Sequence, residues 1–401
     1  MFPEEFQKVS SPNFPSFPKN EWSDVSSQDW NDYVWQLRHK ISTLKELESR
    51  LTLSDSERAG VLFASRSRLA LSITPYFFTL IDRNDPNCPI RRQVIPQIDE
   101  AIDDPDEMED PCGEDADMPV PGLVHRYPDR VLMLTTDRCS SYCRHCTRSR
   151  GVSGVGPDHL HLAWESALDY IRRHTEIRDV LLSGGDPLIL SDERLDYLLG
   201  SLRAIPHIQM LRIGTRTPIF MPQRITPSLC AVLRKHHPLF ISIHTNHPKE
   251  LTAESRAGLA MLADSGIPLG NQTVLLKDIN DTPEIQMQLV HKLLMCRVKP
   301  YYLYQCDLIK GSSHFRTSLQ TGIDIIRHLR GYTSGYAVPQ YVIDGPGGGG
   351  KIPINPDYLT GHEQGKTLLV NYRGKQYSYP DPTPGNKSLR EELIRRHIAD
   401  R

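Results

Sequence analysis

The 401-residue chain reads as an α/β protein built on a parallel sheet, with a helical extension before it and a short tail after it. From about residue 130, short β-branched runs alternate with helical stretches at roughly 30-residue spacing, the pattern of βαβ units. Each run is also followed by polar or glycine-rich residues. A parallel sheet gathers such residues at the carboxyl ends of its strands, where α/β folds place their sites.

Taken in order, residues 1–120 look helical and irregular. Trp30, Tyr33, Val34, Leu37, Ile41 and Leu44 recur at three- and four-residue spacings, which predicts a single helix face. Ser54 and Glu57 form a capping-box pattern that opens a second helix toward Leu62. Between Asp99 and Asp117 stand eleven acidic residues and no basic one, broken by Pro105 and Pro111. That stretch reads as a solvated, charged connector with no chemistry of its own.

The sheet segment, 121–352, has strand-like runs at 131–135, 180–182, 210–213, 240–243, 272–276, 301–304 and 341–343. After them come, in order, a cysteine cluster, Gly184-Gly185-Asp186-Pro187, Arg216-Thr217-Pro218, His244-Thr245-Asn246-His247, residues 277–281, Gln305-Cys306-Asp307, and a glycine run ending in Lys351. The second half is thus organised around one site. The prolines at 353, 356, 380, 382 and 384 predict an irregular tail over 353–401, ending in a short helix near 389–398.

With 38% apolar and 24% charged residues the chain can bury a core, which excludes disorder as its main state. A net charge of -2 supplies no global field for nucleic acid or an anionic membrane, so a small-molecule substrate is the expectation. No stretch approaches the ~20 apolar residues of a membrane span, and the first residues lack a signal-peptide pattern. The expected location is the cytoplasm. There the eight cysteines should be thiols, and the scattered Cys88, Cys112, Cys230, Cys296 and Cys306 read as small buried hydrophobes.

Cys139, Cys143 and Cys146 differ because they share one short loop after a strand. Three soft ligands so close suit an iron–sulfur cluster or zinc. A structural zinc site wants a fourth ligand, and no fourth cysteine is near; three merely buried thiols are the remaining alternative. Alone, GGDP is a turn with unobstructed backbone groups and one carboxylate. The run Gly345-x4-Gly350-Lys351 nearly spells a phosphate-binding loop, but Ile352 replaces the required hydroxyl residue and Pro353 and Pro356 forbid the following helix. The run reads instead as a flexible backbone delivering the Lys351 amine. Asp307 and Asp344 both end strand runs at one mouth, where two carboxylates repel unless a cation lies between them.

The string CSSYCRHCTRSR, followed by DVLLSGGDP, resembles the radical S-adenosylmethionine enzymes, with His145 before the last cysteine where that pattern has an aromatic or similar residue. PVPGLVHRYPDRVL, RIGTRTP, NHPKE, PLGNQTVLL, YYLYQCD and TSGYAVPQYVIDGPGGGGK narrow the resemblance to the lysine 2,3-aminomutase family, from about residue 30 to 358. The resemblance implies a partial (β/α)6 TIM-like barrel and a 4Fe-4S cluster on Cys139, Cys143 and Cys146, with one iron open to S-adenosylmethionine. Gly184, Gly185 and Asp186 would line the methionine end, and His145, Ser183, His244 and Gln272 complete the implied cofactor-binding set. It further implies pyridoxal 5'-phosphate bonded to Lys351 and held by Arg126, Arg130 and Arg216. Arg148 would bind the substrate carboxylate, and Asp307 with Asp344 its distal cation.

The implied reaction moves the α-amino group of a basic amino acid to its β-carbon, in a homo-oligomer served by an external one-electron reductant of the flavodoxin or ferredoxin type. Lysine is the first expected substrate and arginine the second; a translation-factor lysine is a weaker third. A non-catalytic electron carrier would explain the cysteines but not Lys351 or the aspartates. Two departures stand out. Thr282 occupies the position of a zinc-binding cysteine of clostridial members and no cysteine follows Cys306, so zinc is not expected. TRSRGVSGVG and HTNHP also replace the TRRRFAG and HFNHP typical of lysine enzymes.

Overall fold

Nine strands hydrogen-bond in chain order in the computed structural model, which describes residues 13–67, 69–152, 163–381 and 387–399. They are β1 (Leu123–Tyr127), β2 (Arg130–Thr136), β3 (Asp179–Gly184), β4 (Met210–Thr215), β5 (Leu239–Ile243), β6 (Leu269–Leu275), β7 (Val298–Gln305), β8 (Gln340–Gly345) and β9 (Gly350–Pro353). From β2 to β8 every neighbouring pair is parallel. β1 and β9 add antiparallel edges. Helices Trp164–Arg173, Asp192–Arg203, Pro227–Arg234, Ala253–Asp264, Pro283–Met295 and Leu319–Leu329 connect the parallel strands, which makes the six βα repeats expected.

The strands wrap without closing through backbone bonds. The two edges meet through a side chain, as the Lys351 N–H donates to the Tyr127 hydroxyl at 3.1 Å. Along β4 and β6 buried and half-buried residues alternate strictly. Leu211, Ile213 and Leu239 share one core with Leu168, Leu195, Leu199, Leu229 and Leu262 of the helices. The intervening, half-buried residues face the opposite side, toward the hollow of the barrel. Among the described residues no helix is long and apolar enough to cross a membrane.

The N-terminal extension packs into the same core. Phe77 meets Phe220 edge-on at 4.6 Å, and Thr74 Oγ1 donates to the Phe220 carbonyl at 2.6 Å. The expected helix through Trp30 and Leu44 is not continuous. It breaks into Ser27–Trp30, Tyr33–Arg38 and Leu44–Glu48 because Asp32 and Thr43 each cap a fresh start, while Ile41 pairs with Ile73 as a bridge. The Ser54–Glu57 capping box is present and opens helix Asp55–Ala64. Glu57 also bonds Arg91 at 2.5 Å, with both side chains almost fully buried.

The tail is not irregular. β10 (Leu359–Glu363), β11 (Lys366–Val370) and β12 (Gln376–Pro380) form a second, antiparallel sheet, followed by helix Lys387–Ala399. The proline count misled because Pro380 sits at the end of an edge strand, where no ladder donor is needed. Gln364-Gly365, both with positive φ, close the β10–β11 hairpin as a tight two-residue turn. Pro382 and Pro384 lie outside the described residues.

Removing one partner of a buried ion pair leaves an uncompensated charge. Arg91→Met should therefore lower stability by about 3–5 kcal/mol, read as a shifted denaturant midpoint; an unchanged midpoint would contradict the role given to the pair.

Candidate active site

The carboxyl ends of β2 to β8 carry the candidate residues, and the strand register makes them neighbours. Cys139, Cys143 and Cys146 lie on the loop after β2 and are free thiols. Burial raises the pKa of all three, Cys146 to about 11. Buried thiols of this kind become thiolates only when a cation joins them, which suits a metal cluster. The Arg216 guanidinium donates to Cys143 Sγ at 2.9 Å and opposes the shift there.

Arg216 is held by a buried network. Its Nη2 donates to Gln93 Oε1 at 2.7 Å and to Glu250 Oε2 at 2.9 Å. Asn246 Nδ2 also donates to Gln93 Oε1 at 2.9 Å and lies 3.2 Å from His145 Nε2. Burial, then Arg216, depresses the His145 pKa, so the ring is neutral. His145 Nδ1, Arg216 Nε and Ser140 Oγ are buried polar atoms without partners. Such orphaned atoms beside three thiols fit a polar ligand on the cluster. Arg216, expected with Arg126 and Arg130, follows β4 and has its guanidinium engaged at the cysteine loop.

The GGDP loop packs directly against the cysteine loop. A Cβ on Gly184 would lie 2.4 Å from the Thr136 carbonyl, and one on Gly185 would lie 2.1 Å from that of Arg138. The glycines thus allow the β3 loop to lie against the cysteine loop. Asp186 accepts from Thr215 Oγ1 at 2.6 Å, Arg216 N at 2.8 Å and Leu188 N at 3.0 Å. These bonds make it an internal strut between β3 and β4. Burial raises its pKa despite those bonds.

A second group lines the hollow near β1, β7 and β9. Lys351 stands opposite Asp344 across the β8–β9 ladder, with its Nζ 3.1 and 3.2 Å from the two carboxylate oxygens and 5.1 Å from the Tyr304 ring centre. The glycine run is a closed hairpin, with Gly349 N bonded to Gly345 O at 2.8 Å. Arg126 bonds Asp117 at 2.6 Å; its buried Nη2 lacks a partner and faces the Gly348 backbone. Arg130 lies 4.0 Å from the Tyr127 ring centre and contacts Asp129 at 3.3 Å. A primary amine, an orphaned guanidinium nitrogen and aromatic walls fit an anionic aromatic aldehyde such as pyridoxal phosphate.

Asp307, Asp344 and Cys112 each offer one ligand atom within 4.8 Å of the others. Burial, then Asp344, raises the Asp307 pKa to about 7, while Lys351 and Arg148 oppose the rise. Cys112, read as a small buried hydrophobe, stands beside both aspartates, and burial, then Asp307, Glu114 and Asp344, keeps its thiol protonated. Arg148 Nη1 donates to Ser183 Oγ at 3.2 Å, which joins the two groups. His244, after β5, has its pKa lowered to about 4 by burial, Arg216 and Arg148, and is neutral between them. Gln272 lies on β6, half-buried and in register with Tyr302. Residues 153–156 of the TRSRGVSGVG loop lie outside the described residues.

The acidic stretch 99–117 is the largest correction. It is a strap stitched across the mouth by arginines: Glu100 with Arg144, Asp104 with Arg316, Glu114 with Arg148, Asp110 and Asp115 with Arg150, and Asp117 with Arg126. Glu107 is buried and accepts from Gly311 N at 2.8 Å and Ser312 N at 2.9 Å. Sequence reasoning missed Gln93, Glu114 and Cys112, which read as appendage, connector and incidental thiol, and gave no role to Glu250 although it stands in the NHPKE string. Tyr127, Tyr302 and Tyr304 carried a signal in the alternation of their strands.

A partial barrel with three thiols on the loop after its first parallel strand defines the class. Residues 133–287 match the model described as the radical SAM superfamily, which implies a 4Fe-4S cluster and S-adenosylmethionine. Residues 326–399 match that of lysine-2,3-aminomutase. The chain is 51% identical over 368 residues to L-lysine 2,3-aminomutase of Clostridium subterminale, covering 91% of this chain and 88% of the relative. It is 49% identical over 365 residues to that of Fusobacterium nucleatum, covering 91% and 85%. Glutamate 2,3-aminomutase of Clostridioides difficile is 40% identical over 368 residues, covering 92% and 87%. The chain belongs to the lysine 2,3-aminomutase family and is an isomerase.

Proposed function

We propose that the enzyme converts L-lysine to its β-isomer, with the cluster on Cys139, Cys143 and Cys146 and pyridoxal 5'-phosphate on Lys351. The observation that carries the substrate class is the Asp307–Asp344 pair at the mouth. One ammonium making charge-assisted bonds of ~2.8 Å to each carboxylate can bridge oxygens up to about 5.6 Å apart, and these two lie within 4.8 Å. In the absence of substrate the Lys351 amine supplies part of that charge to Asp344.

When bound, S-adenosylmethionine on the cluster supplies hydrogen abstraction, and pyridoxal phosphate supplies the conjugated ring through which nitrogen migrates. The protein's own residues bind and orient. Arg148 holds the substrate carboxylate and the aspartates hold the far end, which fixes the β-carbon between the cysteine loop and Lys351. Arg126 and Arg130 neutralise the phosphate, and Tyr127, Tyr302 and Tyr304 wall the ring. Arg216, fixed by Gln93 and Glu250, keeps a positive charge against Cys143.

A homo-oligomer and an external one-electron reductant belong to the same proposal. The oligomer is supported by the second sheet, whose β12 is exposed throughout, and by the exposed Leu393, Ile394 and Ile398 of the last helix. Sedimentation of the full chain reads this directly, and a monomer would refute it.

Cys143→Ala should lose bound iron and S-adenosylmethionine cleavage together, checked by iron analysis and 5'-deoxyadenosine yield; retention of both would remove Cys143 from the ligand set. Lys351→Ala should lose the cofactor's protein-bound absorbance and its trapping by borohydride while iron content stays normal. If trapping persists, another lysine holds the cofactor.

Asp307 is mostly protonated below pH 7 and ionised above it, so the cation's partner appears as pH rises. The kcat/KM for lysine should climb through an ionisation near pH 7, a value that reports the free enzyme. Asp307→Asn should flatten that step and weaken kcat/KM by roughly 30-fold or more. L-Lysine, L-arginine and L-glutamate compared in parallel test the substrate class, and a preference for glutamate would overturn it.

A further inference from the structure

We infer that Glu114, on the acidic strap, is the positioning residue that sets the Arg148 guanidinium for the substrate carboxylate. The inference rests on the reading of Arg148 given above and deepens it. A guanidinium has two edges that can each grip a carboxylate bidentately. Glu114 takes one: Arg148 Nε donates to Oε2 at 2.9 Å and Nη2 to Oε1 at 2.5 Å. Ser183 Oγ accepts from Nη1 at 3.2 Å. Those three bonds fix the plane of the group and leave one N–H on each of Nη1 and Nη2 for a second anion.

Both side chains are largely buried, at 20% and 15% exposure, so the pair is not a screened surface contact. Burial alone would raise the Glu114 pKa, but Arg148, then Arg150 and Arg126, pull it below the usual carboxylate range. Glu114 is thus ionised across the working pH range. Arg150 and Arg126 have carboxylates of their own, Asp110, Asp115 and Asp117, so Glu114 serves chiefly as the partner of Arg148. Without Glu114 a long side chain with rotamer freedom would have to be ordered by the substrate itself.

The strap gives this placement its rigidity. Gly347 N bonds the Pro111 carbonyl at 3.0 Å, and Asp115 N bonds Asp110 Oδ2 at 2.9 Å. Cys112, two residues before Glu114, reaches the Asp307–Asp344 pair. One short segment therefore touches the groups assigned to both ends of the substrate.

The test uses the reconstituted holoenzyme with L-lysine as substrate and L-lysine methyl ester, which lacks the carboxylate charge, as a competitive inhibitor. Glu114→Gln should raise KM for lysine about tenfold or more while kcat stays within roughly threefold. The ester's inhibition constant should stay within about threefold, because its binding does not depend on that contact. Glu114→Asp should recover part of the loss, and iron and pyridoxal content should match the parent protein. Equal losses in KM for lysine and in ester binding would overturn the inference, as would a lower KM, which would make Glu114 a competitor for Arg148. Arg148→Gln separates the two levels. If it raises KM while Glu114→Gln does not, only the role of Glu114 fails; if it leaves KM unchanged, the reading of Arg148 fails and takes this inference with it.

Discussion

Charge neutrality at the carboxyl edge of one parallel sheet is the constraint on which the site depends. Parallel register sends every βα loop to the same end, and those loops carry arginines, carboxylates and thiols. Each charge held away from water needs a partner. The pairing therefore extends beyond the barrel, to Gln93 from the N-terminal extension and to the acidic strap over 99–117. These segments complete the site as well as covering it.

The paired charges divide the mouth into two environments. On the cysteine side, Arg216, Glu250, Gln93, Asn246 and His145 form a buried network whose bonds are mostly satisfied within itself. Its few orphaned atoms face the thiols, where a cofactor would complete them. On the lysine side, tyrosines and guanidinium groups line a more open hollow, and Asp307 remains poised between its two protonation states. His244 is neutral between the two because it is buried and has an arginine on each side. Arg148 belongs to both environments, and Glu114 together with Ser183 decides which way it faces.

Much of this was legible in the chain itself. The alternation of strand and helix gave the parallel sheet, and the polar residues after each strand marked its active edge. Spacing alone singled out Cys139, Cys143 and Cys146, and the resemblance to a family supplied Lys351 and the aspartates. Local signals worked where the physics is local, as in the Ser54–Glu57 cap. They failed where caps compete with periodicity, as at Asp32 and Thr43, and where a two-residue turn outweighs nearby prolines, as at Gln364-Gly365.

The sequence by itself determined the class of fold, the edge that carries the candidate residues, and their chemical types, because these depend on short-range spacing and on the handedness of βα connections. Only the tertiary structure decided partners. Nothing in an acidic run says that Glu114 meets Arg148 and Glu107 meets the backbone at 311–312, since those residues are far apart in the chain and are joined by the way the strap crosses the mouth. The same holds for Asp186, whose bonds to Thr215 and Arg216 exist only because β4 lies beside β3. Burial and pairing are properties of the assembled space, and they convert a list of charged residues into a site with a direction.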